Sequence, residues 1–107
     1  MEEFILSATS IDELNEVKVS TKSFIDSEQA FYEMYNLIKE DLSGLSDYSN
    51  DMDILEQFAF LGKLMLGNVE VLNGYEIDYD QETCTYTRKN PEGVESLVLC
   101  LHNINKD

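Results

Sequence analysis

Apolar positions in the middle of the chain recur with the period of a helix. Phe31, Met34, Tyr35, Ile38 and Leu42 fall at steps of three and four, one stripe of an α-helix, while Glu28, Glu33, Lys39, Glu40 and Asp41 fall mostly outside it. Asp26, with Gln29 three residues on, supplies the start, because a side-chain oxygen can take up a free backbone N–H there. Gly44, able to adopt the left-handed conformation, supplies the stop. From Ile54 to Leu66 the sequence is apolar almost all round, interrupted by Glu56, Gln57, Gly62 and Lys63, and Gly67 ends it. Such a segment reads as a helix wrapped on most sides, with Gly62 marking a close approach. The two helices, joined by the polar stretch Leu45 to Asn50, predict a helical hairpin from Asp26 to Gly67.

After Gly67 the period becomes two. Val69 and Val71, then Tyr75, Ile77 and Tyr79, alternate with acids around Asn73-Gly74, a hairpin signal. A two-residue loop sends the valines and the Tyr-Ile-Tyr set to opposite faces. A three-residue loop, Leu72 to Gly74, pairs Val71 with Tyr75 and keeps the apolar residues together, which makes it the expected register. Glu70, Glu76, Asp78 and Asp80 then share the other face. Thr83 to Arg88 reads as a further strand, Asn90-Pro91-Glu92-Gly93 as a turn, and Val94 to Leu101 as a strand covered on both faces. Near the N-terminus, Phe4 to Leu6 reads as a first strand or a docked tail. Ser10 with Glu13 reads as a capping box for a helical turn, and Val17 to Thr21 as an edge strand with Lys18 and Lys22 toward water. The expected fold class is α+β, a single domain over residues 1–107, with the helical hairpin packed on a three- to four-stranded, mainly antiparallel sheet.

Composition adds the charge. The chain has 107 residues, 43 % of them hydrophobic, enough for one core without staples. Its 22 acids against 7 bases give a net charge of −15, a self-repulsion that opposes compaction. The apolar run at Ile54 is well short of the roughly 20 residues a bilayer span needs. No leader pattern opens the chain, and two cysteines do not make a disulfide framework, so a reducing cytoplasm is the expected compartment. Cys84 and Cys100 fall in strand-like sequence, where a free cysteine behaves as a small buried hydrophobe; a bridge between neighbouring strands is the alternative.

Chemistry is sparse. His102 has no evident partner, and phosphate-loop, dinucleotide, nucleophile-elbow and zinc spacings are missing. Glu76, Asp78 and Asp80 do not open a calcium loop, since Gln81 stands where glycine is needed. The expectation is therefore no enzyme, no cofactor and no metal site. What stands out is nine acids against Lys39 alone between Asp26 and Glu56, and five more acids with no base between Lys63 and Arg88. Carboxylates on a rigid scaffold present a phosphate-like row to a basic protein and steer its approach, while repelling nucleic acid itself. The function expected on this basis is an acidic binding module or inhibitor that docks on a basic, nucleic-acid-binding surface such as a nuclease, in the manner of DNA mimics of the phage anti-restriction or anti-CRISPR type. Its expected docking residues are Glu33, Glu40, Asp41, Asp47, Asp51 and Asp53 on the helical side, replaceable with little effect on folding, and Glu70, Glu76, Asp78 and Asp80 on the sheet, of which Asp78 is expected to tolerate replacement. The alternative is a regulatory or immunity-type subunit that binds through apolar surface, with the acids serving solubility.

Overall fold

A computed structural model describes residues 2–105. Along the chain these form β1 (Glu2–Ile11), β2 (Val17–Phe24), α1 (Ser27–Ser43), α2 (Ser46–Ser49), α3 (Ile54–Met65), β3 (Glu70–Leu72), β4 (Tyr75–Asp80), β5 (Thr85–Lys89) and β6 (Glu95–Asn105). The strands make one six-stranded sheet in the order β2-β1-β6-β5-β4-β3, every neighbouring pair antiparallel. This corrects the expectation of a helical hairpin on a three- to four-stranded sheet. The sheet is the larger layer, and α1 lies over β1, β2 and β6 while α3 lies over β4. The two helices share a side of the sheet without forming a hairpin.

The additional strands come from the N-terminal region. Phe4, Leu6 and Ala8 alternate with Ile5, Ser7 and Thr9, and β6 selects which parity faces the helices by placing Leu101 across from Leu6 and Leu99 across from Ala8. Ser10 continues β1 and caps nothing. The turn that follows is folded by Asp12, whose carboxylate accepts the N–H groups of Leu14 and Glu16, both at 2.9 Å. Val17 and Val19 then stand exposed on the edge strand β2, beside Lys18 and Lys22.

Helix α1 follows its periodicity. Asp26 accepts the N–H of Glu28 at 2.9 Å, and Ala30, Met34, Ile38 and Leu42 are buried against the sheet. Gly44 closes the helix in a right-handed conformation, not the left-handed one expected. Met34, Ile38 and Leu42 meet Leu6, Leu99, Tyr86 and Ile77 from below, and Phe60, Leu61 and Leu64 of α3 complete the core. Tyr48 of α2 meets Phe60 edge to face, ring centres 5.8 Å apart. Among the described residues no helix is long and apolar enough to cross a membrane.

The hairpin of β3 and β4 takes the register with the shorter loop. Leu72 pairs with Tyr75, Val71 with Glu76 and Glu70 with Ile77, so the loop is Asn73-Gly74 alone. Both loop residues have positive φ, 52° and 79°, the turn whose twist matches that of the strands. Two further contacts favour it over the arrangement that collects the valines. Leu72 becomes a core residue instead of a loop residue. Asn73 is also clamped to α2: its N–H donates to the Asp47 carboxylate at 2.7 Å, its side-chain oxygen accepts the Asp47 N–H at 2.9 Å, and its amide donates to Ser46 Oγ at 2.8 Å. The consequence is that Val69 and Val71 are left 55 % and 66 % exposed.

The cysteines are half-buried and free. Cys84 precedes β5 in a turn, at φ 50°, and only Cys100 lies in a strand, across from Thr85 and Ser7 on the face without helices. Cys84, by contrast, neighbours the buried Tyr79. Neither is the fully buried strand residue expected.

Two substitutions read the register in urea or thermal unfolding. Ile77→Asp puts a charge into the core and costs several kcal/mol, whereas Val71→Lys changes stability by less than about 0.5 kcal/mol. A loss for Val71→Lys as large as that for Ile77→Asp would support the longer loop. The glycines supply a second pair. At Gly74 a Cβ meets Pro91 at 3.3 Å on a backbone with φ 79°, so Gly74→Ala loses roughly 1–2 kcal/mol. At Gly62 nothing lies within 4 Å, so Gly62→Ala gains about 0.5–1 kcal/mol from helix propensity.

Candidate docking surfaces

Half of the acids expected to be free for a partner are held within the fold. Asp41 is the clearest. Its carboxylate accepts the Tyr86 hydroxyl at 2.7 Å and the Arg88 Nε–H at 2.9 and 3.1 Å, and the Arg88 guanidinium lies 4.8 Å from the centre of the Tyr75 ring. With side chains only 13 % and 18 % exposed, Asp41 and Arg88 tie the last turns of α1 to β5. Asp47 holds the Asn73 turn. Asp53 caps α3 by a reciprocal box: it accepts the Glu56 N–H at 2.8 Å, and the Glu56 carboxylate accepts the Asp53 N–H at 3.3 Å. Asp80 folds the turn into β5, accepting from Glu82 N–H at 2.9 Å. Glu33 lies 3.9 Å from Lys22. The expectation that these residues can be exchanged with little effect on folding is corrected for Asp41, Asp47 and Asp53.

The sheet cluster is also rearranged. Glu76, Asp78 and Asp80 share the face without helices, across from Lys89, Thr87 and Thr85. Glu70 pairs with Ile77 and so belongs to the helix-covered side, apart from the other three. Glu76 has a cation as its cross-strand neighbour. Glu40 and Asp51 remain as exposed carboxylates on the helical side.

A different surface is left without a partner. Helix α3 buries Phe60, Leu61 and Leu64 but turns a second apolar stripe outward: Ile54, Leu55 and Phe58 are 70 %, 77 % and 61 % exposed, and Leu66, just past its end, is 73 % exposed. Ala59 and Gly62, both exposed, continue the stripe between Phe58 and Leu66. This corrects the helix wrapped on most sides, and Gly62 faces open space instead of a close neighbour. The signal was present in the sequence, since Ile54 to Leu66 is more apolar than a single buried face requires. Periodicity does not say whether the second face is covered by the same chain. Asp51, Asp53 and Glu56 are exposed around the N-terminal end of the stripe, and Lys63 is the base on the helix.

The phenols of Tyr48 in α2, Tyr79 in β4 and Tyr86 in β5 respond to burial. Removal from water raises the pKa of Tyr48, Tyr79 and Tyr86, since it disfavours the phenolate. For Tyr79, which also neighbours Cys84, the value is pushed up to about 12. For Tyr86 the Asp41 carboxylate adds to the effect of burial.

Comparison with protein-family models, with curated proteins and with solved structures finds no match.

Two outcomes follow from these contacts. Asp41→Ala leaves Arg88 and the Tyr86 hydroxyl without their acceptor in a largely dry site and lowers stability by roughly 2–3 kcal/mol. Glu40→Ala, one residue earlier and exposed, changes it by less than about 0.5 kcal/mol. Denaturation that gives equal losses for the two would remove Asp41 from its structural role. The tyrosines set an alkaline limit. Their folded pKa values lie above the unfolded value near 10, so the folded state keeps its protons longer. The stability they contribute is present below about pH 10 and is lost as pH rises through the folded values. Unfolding midpoints measured from pH 8 to 12 should fall above pH 10, and Tyr79→Phe should flatten that fall.

Proposed function

We propose that this chain is a protein-binding module with no catalytic role of its own. Its docking face is the outer stripe of α3, and its partner presents an apolar patch ringed by lysine and arginine. The observation that carries this reading is the set of four large apolar side chains, Ile54, Leu55, Phe58 and Leu66, that the fold leaves in water on a chain of charge −15. Aromatic side chains such as Phe58 are enriched in the cores of protein interfaces relative to the rest of the surface. The charge then selects the occupant. Nucleic acid and anionic lipid are repelled, a second copy of the chain is repelled, and a basic protein surface is attracted and steered.

Nucleic-acid-binding proteins, nucleases among them, are the partner class with such surfaces, and a module that covers one acts as an inhibitor. Asp51 and Glu56 supply the acidic surroundings at the N-terminal end of the stripe, with Glu40, Glu76 and Asp78 contributing to the long-range field. The dispersal of the carboxylates among caps and turns moves the weight of the reading from imitation of a phosphate row to apolar contact guided by charge.

The test uses immobilised chain, a nuclease-treated bacterial lysate and quantitative mass spectrometry, followed by affinity measurement on the retained proteins. Basic proteins that bind the wild type should lose affinity by more than about thirtyfold with Phe58→Asp. Val17→Asp, on the far edge of the sheet, should leave binding unchanged. Raising the salt concentration should slow association, with a residual affinity carried by the apolar contact. Retained partners that are acidic, or that are indifferent to Phe58→Asp, would overturn the proposal.

A further inference from the structure

We propose a second binding site, distinct from α3: a groove under the N-terminal half of α1 that takes an arginine or lysine side chain presented by an extended segment of a partner protein. The groove has a volume of about 670 Å³ and opens to solvent. This is within the roughly 300–1,000 Å³ of ordinary ligand sites. Its floor is Phe4 of β1 and Leu101 of β6, and its wall is the flank of α1 that carries Glu28, Phe31, Tyr32 and Tyr35. These four follow at helical steps beside the buried Met34 and Ile38, so packing α1 on the sheet fixes them over Phe4 and Leu101.

The lining decides the ligand class. Four aromatic residues line it, a ring type whose face carries negative potential, Glu28 adds a full negative charge, and no described basic side chain lines the groove. An aliphatic stem with a cationic end matches both parts, because its methylenes cover Phe4 and Leu101 while its charge meets the rings and the carboxylate. The chain itself shows that rings in this region accept cations. Lys39 Nζ lies 5.5 Å from the centre of Tyr35, and Lys22 Nζ lies 5.4 Å from the centre of Phe24, the cross-strand neighbour of Phe4. Lys39 thus already occupies one of the lining rings, Tyr35, which leaves Phe4, Phe31 and Tyr32 for an incoming cation. An open groove admits a side chain from a segment lying across it, and the field of a −15 chain draws a basic segment in.

The test is a titration of the full ¹⁵N-labelled chain with two peptides, acetyl-Ala-Leu-Arg-Leu-Ala-amide and its citrulline counterpart, which keeps the arginine shape without the charge. The arginine peptide should shift the amides of Phe4, Leu101 and residues 27–35, and bind about 2- to 30-fold more tightly than the citrulline peptide. That preference should shrink in Glu28→Gln, and affinity for both peptides should fall in Tyr32→Ala. Both positions are exposed, so the amide spectrum of each free variant checks its fold directly. Phe58→Asp should leave the titration unchanged, so failure of the α3 reading and failure of this one are told apart. Equal affinity for the two peptides, a preference insensitive to Glu28→Gln, shifts centred elsewhere, or no shifts at millimolar peptide would each overturn the proposal.

Discussion

The carboxylate of Asp41 is the contact on which the arrangement of layers depends. A single amphipathic helix on a sheet can slide or rotate while its apolar stripe stays covered, since dispersion and hydrophobic burial have little directionality. A charged acceptor that takes a phenol and a guanidinium from β5 has direction, and in a half-dry setting it is costly to leave unmade. It fixes the C-terminal turns of α1 over β5 and β6. The position of the N-terminal turns over Phe4, and the start of α2 from Leu45, follow from that placement. On a chain with so few bases, the use of Arg88 at this point also indicates how little counter-charge remains for the other carboxylates.

Local signals in the sequence were legible where one short stretch decides its own geometry. Asp26 begins α1, Asn73-Gly74 turns β3 into β4, and Asn90 to Gly93 turns β5 into β6. What was not legible depended on distant residues. The parity of β1 is set by Leu99 and Leu101, some ninety positions away, and Phe4 to Ser10 alone alternates too weakly to declare a ten-residue strand. In the register of β3 and β4, the fit of the turn and the clamp from Asp47, which lies 26 residues before Asn73, outweigh the collection of apolar residues on one face. The candidate site suffered in the same way. A list of acids does not reveal which serve as caps and which are free, and the apolar length of α3 does not reveal that half of it is left uncovered.

These observations change how the acidity is understood. Asp12, Asp26, Asp53 and Asp80 each accept backbone N–H groups at a turn or a helix start, a task that requires a short carboxylate or amide and is independent of any partner. Part of the charge of −15 is thus a by-product of folding a chain with many turns. The remainder, Glu40, Asp51, Glu76 and their neighbours, forms a diffuse field around two apolar features, the α3 stripe and the α1 groove.

The position of β6 has a consequence for how the chain reaches its fold. This strand lies between β1 and β5, and joins the hairpin of β1 and β2 to the meander of β3, β4 and β5. Until residues Glu95–Asn105 have emerged from the ribosome, the two parts have no common strand, and each exposes an unpaired edge of mixed apolar and hydroxyl side chains. Closing the sheet joins Ser7 to Cys100 across almost the whole described chain, a contact with a large loop entropy and hence a slow one. The like charge of −15 repels one unfinished chain from another while those edges are open, so the acidity opposes edge-to-edge association of copies before the sheet is closed.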